Sequence, residues 1–146
     1  MIINKKLKKN YSLSKHYLAG LSLLGLEVKS LRNNEASLEN AYIICSKNEF
    51  WIINLYIADY KYNQSTLNYD AYRRRKLLLN RLEIQKILLK IKQEKLILIP
   101  EKIFLKNNFF KLSFYLGKRL KKYDLREKIK KSEINKSLQK KYHHKI

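Results

Sequence analysis

Residues 96–116 read LILIPEKIFLKNNFFKLSFYL. Two apolar and aromatic runs, Leu96–Leu105 and Phe109–Leu116, flank the polar step Lys106-Asn107-Asn108, which is the pattern of a β-hairpin. Pro100 cannot donate to a ladder and predicts an edge strand or a bulge in the first run. The pattern recurs upstream, where Ala41–Ser46 and Phe50–Tyr60 flank Lys47-Asn48-Glu49 and asparagine tolerates the left-handed backbone of a tight turn. Ser14–Arg32 is mostly apolar and reads as extended, with Gly20 and Gly25 as candidate bulges or bends. It closes on Gly25-Leu26-Glu27-Val28-Lys29-Ser30-Leu31-Arg32. This reads as a strand end in which Val28 and Leu31 hold the backbone in a core while Glu27, Lys29 and Arg32 reach a surface.

One helix is plain. Asn80 followed by Glu83 resembles a capping box, and Ile84, Ile87, Leu88 and Ile91 recur at helical spacing. Glu35–Glu39 is a candidate short helix, and Lys61–Asp70 reads as a long polar loop. Several short antiparallel strands with one solid helix predict a mainly β fold with flanking helices, an OB-like antiparallel β-barrel. The chain divides into a basic N-terminal arm over 1–12, the barrel over 13–117 and a basic tail over 118–146. The tail holds twelve basic and three acidic residues. Its apolar positions, Leu125, Ile129, Ile134 and Leu138, are too thin a stripe to anchor in a core, so it is expected to be disordered when free and helical when bound. Asp124 with Glu127 supplies a helix-start signal.

Charge narrows the partner. Thirty-three Lys and Arg against twelve Asp and Glu give a net charge of +21. Repulsion of that size implies a polyanion, most often nucleic acid. A bias toward A+T-rich codons would favour Lys, Asn and Ile, but it does not explain why Lys so outnumbers Glu. With one cysteine, Cys45, no internal disulfide or cysteine zinc cluster can form, and a small buried hydrophobe is the expected role. No apolar run approaches the length of a membrane span and the N-terminus lacks a secretory leader, so a cytoplasmic protein is expected. A membrane-surface role for the tail is disfavoured by its weak apolar stripe. Three aspartates, no phosphate-binding glycine loop and no metal-ligand spacing argue against catalysis, a cofactor or a small-molecule substrate; His16 is isolated, and His143-His144 read as solvated tail.

RNA chemistry fits better. Four of the seven arginines are Arg73, Arg74, Arg75 and Arg81, and clustering in a lysine-preferring chain suggests a need for guanidinium geometry on phosphate. Tyr11, Tyr17, Tyr60, Tyr62, Tyr69, Tyr72 and Tyr123 are candidates for stacking on unpaired bases, whereas Trp51, Phe50, Phe104, Phe109, Phe110, Tyr42 and Tyr56 read as packing. Glu27 repels phosphate; it either accepts from base edges or pairs inside the protein with Lys29, Arg32 or the arginine cluster.

At Ala19-Gly20, Gly25–Arg32, Asn54–Tyr60, Arg73-x-Arg75-Lys76-Leu77-Leu78-Leu79-Asn80, Leu98-Ile99-Pro100 and Lys121-Lys122-Tyr123-Asp124-x-Arg126-Glu127, in that order, the chain resembles the small protein B family of SsrA-binding proteins. The resemblance runs from about Asn4 to Gln139. It implies an OB-like barrel that binds the tRNA-like domain of transfer-messenger RNA, and a tail that enters the ribosomal decoding centre in place of codon–anticodon pairing. It further implies RNA binding by Asn4, Leu78 and Lys111, and decoding-centre contacts by Lys118, Lys121, Tyr123, Asp124 and Arg126, with Arg119 and Lys122 alongside. From motif and chemistry, Glu27, Lys29, Ser30, Arg32, Arg73, Arg75 and Lys76 are added as RNA-binding candidates. The chain departs from the family pattern at Leu18, where an acid is common, and at Arg119-Leu120-Lys121. The alternative is a generic basic OB-fold protein that binds tRNA or the ribosome.

Overall fold

The computed structural model describes residues 1–62 and 68–143. In chain order the elements are β1 (Ile2–Ile3), α1 (Leu7–Asn10), β2 (Tyr11–Leu21), α2 (Gly25–Arg32), β3 (Ala36–Ser37), β4 (Tyr42–Ser46), β5 (Glu49–Ile53), β6 (Tyr56–Ile57), β7 (Arg75–Leu78), α3 (Arg81–Glu94), β8 (Ile97–Lys106), β9 (Phe109–Arg119) and α4 (Lys122–His143). A seven-stranded antiparallel sheet runs β1-β8-β9-β2-β7-β5-β4, and β3 pairs with β6 beside it. The sheet curls until β4 approaches β8, so the expected OB-like barrel with flanking helices is present.

Alternation builds the core. Leu112, Phe114 and Leu116 of β9 point inward with Phe50 and Ile52 of β5, Leu77 of β7 and Ile103 of β8, all essentially inaccessible to water. Each such side chain contributes about 1.5–3 kcal/mol through burial. Helix α3 closes the interior with Ile87, and Ile84, Leu88 and Ile91 pack beside it. Asn80 caps that helix by accepting from the Leu82 N–H at 3.4 Å.

Both hairpins turn in two residues rather than three. Lys47 and Asn48 have φ of 52° and 61°, and Asn107 and Asn108 have 51° and 66°. Ser46 then pairs with Glu49 and Lys106 with Phe109. Two left-handed residues in succession match the right-handed twist of the flanking strands. Pro100 marks a register shift in β8, as its lack of an N–H requires. It does not sit on an edge strand, because β1 covers β8 through Ile2↔Ile103 and Ile3↔Lys102.

Three expectations are corrected here. Gly25–Arg32 is helix α2, not a strand end: Glu27, Ser30 and Leu31 form its buried stripe at helical spacing, and two of those three are polar. Glu35–Glu39 is not a helix; Ala36 and Ser37 pair with Tyr56 and Ile57. Within the expected basic N-terminal arm, β1 joins the sheet and Leu7 is buried. Cys45 is exposed rather than buried. The expected loop over Lys61–Asp70 falls partly outside the described residues.

Candidate nucleic-acid interface

Strand pairing assembles an outward-facing band from distant parts of the chain. On β7, Arg75 and Leu77 face inward while Lys76 and Leu78 face outward. Gly20 of β2 lies between Leu78 of β7 and Lys111 of β9, so Lys111, Gly20 and Leu78 stand in one row across three strands. Glycine keeps that row shallow: a Cβ at position 20 would meet the Leu78 Cβ at 3.2 Å. On the next strand, Trp51 pairs with Lys76, and on the far side Phe104 pairs with Lys111. Leu78 is 53% exposed, an apolar side chain held in water between two ammonium groups. Lys76 also meets Glu49 at 3.0 Å, both half-exposed, and such a pair is worth about 1 kcal/mol or less. Lysines that neutralise phosphate, interleaved with flat or apolar side chains that meet bases, suit a folded RNA surface.

A buried ionic cluster holds α2 against the inner side of β7. Glu27 and Arg75 are both 0% exposed. The Glu27 carboxylate accepts from Arg75 and Arg73 and from the Leu24 N–H at 2.9 Å. Leu24 precedes the helix and has no side-chain acceptor, so Glu27 reaching back to its N–H provides the one capping contact there. Arg75 donates onward to the Leu55 carbonyl, to the Ala71 carbonyl at 3.2 Å and to the Tyr69 hydroxyl at 3.0 Å. Burial pushes the Glu27 carboxyl up, but the Leu24 N–H and the two guanidiniums outweigh it and hold it below the usual value. Burial and the Glu27 charge push Tyr69 up to about 12. Ser30 donates to the Ala58 carbonyl at 2.7 Å.

Glu27, Ser30 and Arg75, named as RNA contacts, therefore have their polar groups engaged inside the protein and position the barrel instead. Arg73 shares the Glu27 carboxylate with its side chain about one-third exposed. Tyr69 belongs to the same network rather than to a stacking surface. Lys29 and Arg32 are exposed on α2, Lys29 lying over the Tyr60 ring at 5.3 Å, away from the outward row on β7. Asn4 donates from its side-chain amide to the Pro100 carbonyl at 2.8 Å and accepts from the Lys6 N–H at 3.2 Å; it pins the N-terminal segment to β8.

The tail begins as sheet. Lys118 pairs with Ser12 and Arg119 with Tyr11, and the Leu120 N–H donates to the Asn10 carbonyl at 2.9 Å. Lys118, Arg119, Lys121 and Arg126 are exposed. Helix α4 starts at Lys122; the side chains of Lys122, Tyr123 and Asp124 lie outside the described ones, as does His144. Trp51, Lys102 and Phe104 were not anticipated on this outward face, and Arg74 only as one of the arginine cluster. Trp51 and Phe104 face outward beneath cations, Arg74 and Lys102 respectively. Phe109, also read as core, is 71% exposed at the β8–β9 turn.

A family model described as SmpB protein matches residues 1–144. An SsrA-binding protein of Mycoplasmoides gallisepticum is 46% identical over 140 residues, spanning 96% of this chain and 97% of its own. That of Persephonella marina is 41% identical over 143 residues, spanning 98% and 93%. A solved chain described as "tmRNA-SmpB: a journey to the center of the bacterial ribosome" superposes with a TM-score of 0.67 at 32% identity, covering 87% of this chain and 92% of that one. The family model and these relatives cover almost the full length of the chain, which belongs to the SmpB protein family.

Proposed function

We propose that this chain is a non-catalytic RNA-binding protein of ribosome rescue, acting in the cytoplasm in trans-translation. The barrel holds the tRNA-like domain of transfer-messenger RNA, and the tail enters the decoding centre of a stalled ribosome where codon–anticodon pairing is missing. The observation that carries this assignment is the row Lys111–Gly20–Leu78. Two of the three residues that the family resemblance implicates in RNA binding, Leu78 and Lys111, come from different strands and meet on one outward, cationic face.

The tail suits a segment that orders on its target. The described side chains of α4 are all exposed, including Ile129, Ile134 and Leu138. A helix without tertiary packing is marginal in water, and α4 gains its stability on the ribosome. No helix among the described residues is long and apolar enough to cross a membrane.

Reconstituted translation of a message lacking a stop codon tests the division of labour. Deleting residues 121–146 should leave affinity for the tRNA-like domain within a few-fold of the full chain while abolishing peptide tagging. Equal loss of binding and tagging would overturn the assignment of separate roles.

A further inference from the structure

Arg74 lies immediately before β7 and is exposed. Its guanidinium carbon sits 4.4 Å from the centre of the Trp51 ring. The flanking cations are paired: Arg73 and Arg75 share Glu27, and Lys76 meets Glu49. Among the described residues Arg74 has no acidic partner and no side-chain hydrogen bond, so the indole alone holds it. Trp51 stands on the outward face of β5, opposite Lys76 and Ile44. It is the diagonal neighbour of Leu78, a separation of roughly 7–8 Å on a sheet.

We propose that the Arg74–Trp51 stack is a platform for an unpaired nucleotide of the bound RNA. This rests on the RNA-binding function above and adds to it a site outside the Lys111–Gly20–Leu78 row. An exposed arginine ordinarily samples many rotamers; cation–π contact with Trp51 fixes this one with a face of the guanidinium plane available for stacking. A base stacks on that plane, while the N–H edge of Arg74 and the ammonium of Lys76 take the adjoining phosphate. Such stacking tolerates any base, because each has a π-face. The platform therefore adds affinity for an unstacked nucleotide without selecting its identity. A peptide carboxylate would use the N–H edge but leave the plane empty, so the nucleotide is the occupant that uses both parts.

Trp51 is the only tryptophan in the chain, and its emission reports on the platform directly. The full-length protein is titrated with the tRNA-like domain of transfer-messenger RNA, with a short single-stranded oligoadenylate and with polyglutamate. Both RNAs should quench Trp51 and polyglutamate should not. Arg74→Lys keeps the charge and removes the plane; it should weaken RNA binding on the order of tenfold with an unchanged salt slope and far-UV spectrum. Wild-type affinity in Arg74→Lys, Trp51 emission unmoved by tightly bound RNA, or equal quenching by polyglutamate would each overturn the platform while leaving RNA binding intact. Oligoadenylate quenching that depends on Arg74, without affinity for the tRNA-like domain, would keep the platform and overturn the function proposed above. Failure to bind either RNA would overturn both.

Discussion

Glu27 and Arg75, 48 residues apart in the chain, meet wholly inside the protein as an ion pair. Arg75 is the largest of the fully buried side chains. Neighbouring positions on β7 thus point opposite ways: Arg75 ties the inner side of the strand to α2, and Lys76 faces outward. Removing one partner of a buried pair leaves an uncompensated charge. Arg75→Ala should cost about 3–5 kcal/mol in urea unfolding. Arg75→Lys, which cannot keep the fork to Glu27, Leu55 and Ala71, should cost about 1–3 kcal/mol. At temperatures where the lysine variant stays folded, its RNA-binding salt slope should equal that of the wild type. A slope reduced by about one would place Arg75 on phosphate.

Acid should expose the same cluster. The ordinary value for Glu27 is 4.5 and its folded value is lower. Its contribution to stability is therefore complete above the ordinary value and is lost as pH falls through the lower, folded one. Glu101, set between His16 and Ser113, is shifted in the same direction: burial raises it, and the hydrogen bonds from Ser113 and His16 more than offset this. Thermal unfolding scanned downward from pH 6 should show a steep loss below 4.5 in the wild type. In Glu27→Gln that acid limb should flatten, over a lower plateau at neutral pH. An acid limb of unchanged steepness in Glu27→Gln would remove Glu27 from this account.

Two glycines separate crowding from freedom. A Cβ at Gly117 would stand 2.5 Å from the Ser12 carbonyl oxygen and 2.9 Å from Ile99 Cδ1. Gly117→Ala must push β9 away from β2 just before the tail leaves the sheet, costing about 1–3 kcal/mol. At Gly25, the first residue of α2, a Cβ would meet nothing within 4 Å. Gly25→Ala should be neutral or stabilise by up to about 1 kcal/mol. Paired denaturation curves check both, and a destabilised Gly25→Ala would show that position 25 needs more than helical backbone.

Much of this was legible in the sequence. The 41–53 and 96–116 hairpins carry asparagine at their turns and runs rich in β-formers on either side. Helix α3 announces itself through Asn80 and its apolar period. Helix α2 hid because its buried face is made of Glu27 and Ser30 as well as Leu31; in Glu27-Val28-Lys29 the polar–apolar–polar order imitates a strand. No local pattern says that an arginine will be buried, since Arg75 becomes an inner residue only when Glu27 arrives from a distant helix. Trp51 and Phe104 were read as core because large aromatics usually are, whereas strand alternation turned both outward. The pairing of Leu78 and Lys111 across Gly20 depends on non-local register, and no stretch of the sequence shows it alone.

The outward band makes a graded electrostatic prediction. Lys111→Ala removes one candidate phosphate contact from the row, so the slope of log affinity against log salt should fall by about one with little change in stability. Lys95→Ala, at the left-handed C-cap of α3 and away from the row, should leave the slope unchanged. Equal effects from both would indicate a diffuse cationic surface rather than a defined interface.

The central claim is that this barrel selects the tRNA-like domain of transfer-messenger RNA over ordinary structured RNA. Competition at about 150 mM salt, with labelled tRNA-like domain bound to the full chain and unlabelled bulk tRNA as competitor, tests it most directly. The account predicts tight binding that a large excess of tRNA fails to displace. Displacement at equal concentrations would contradict it and leave a basic barrel that binds folded RNA without preference.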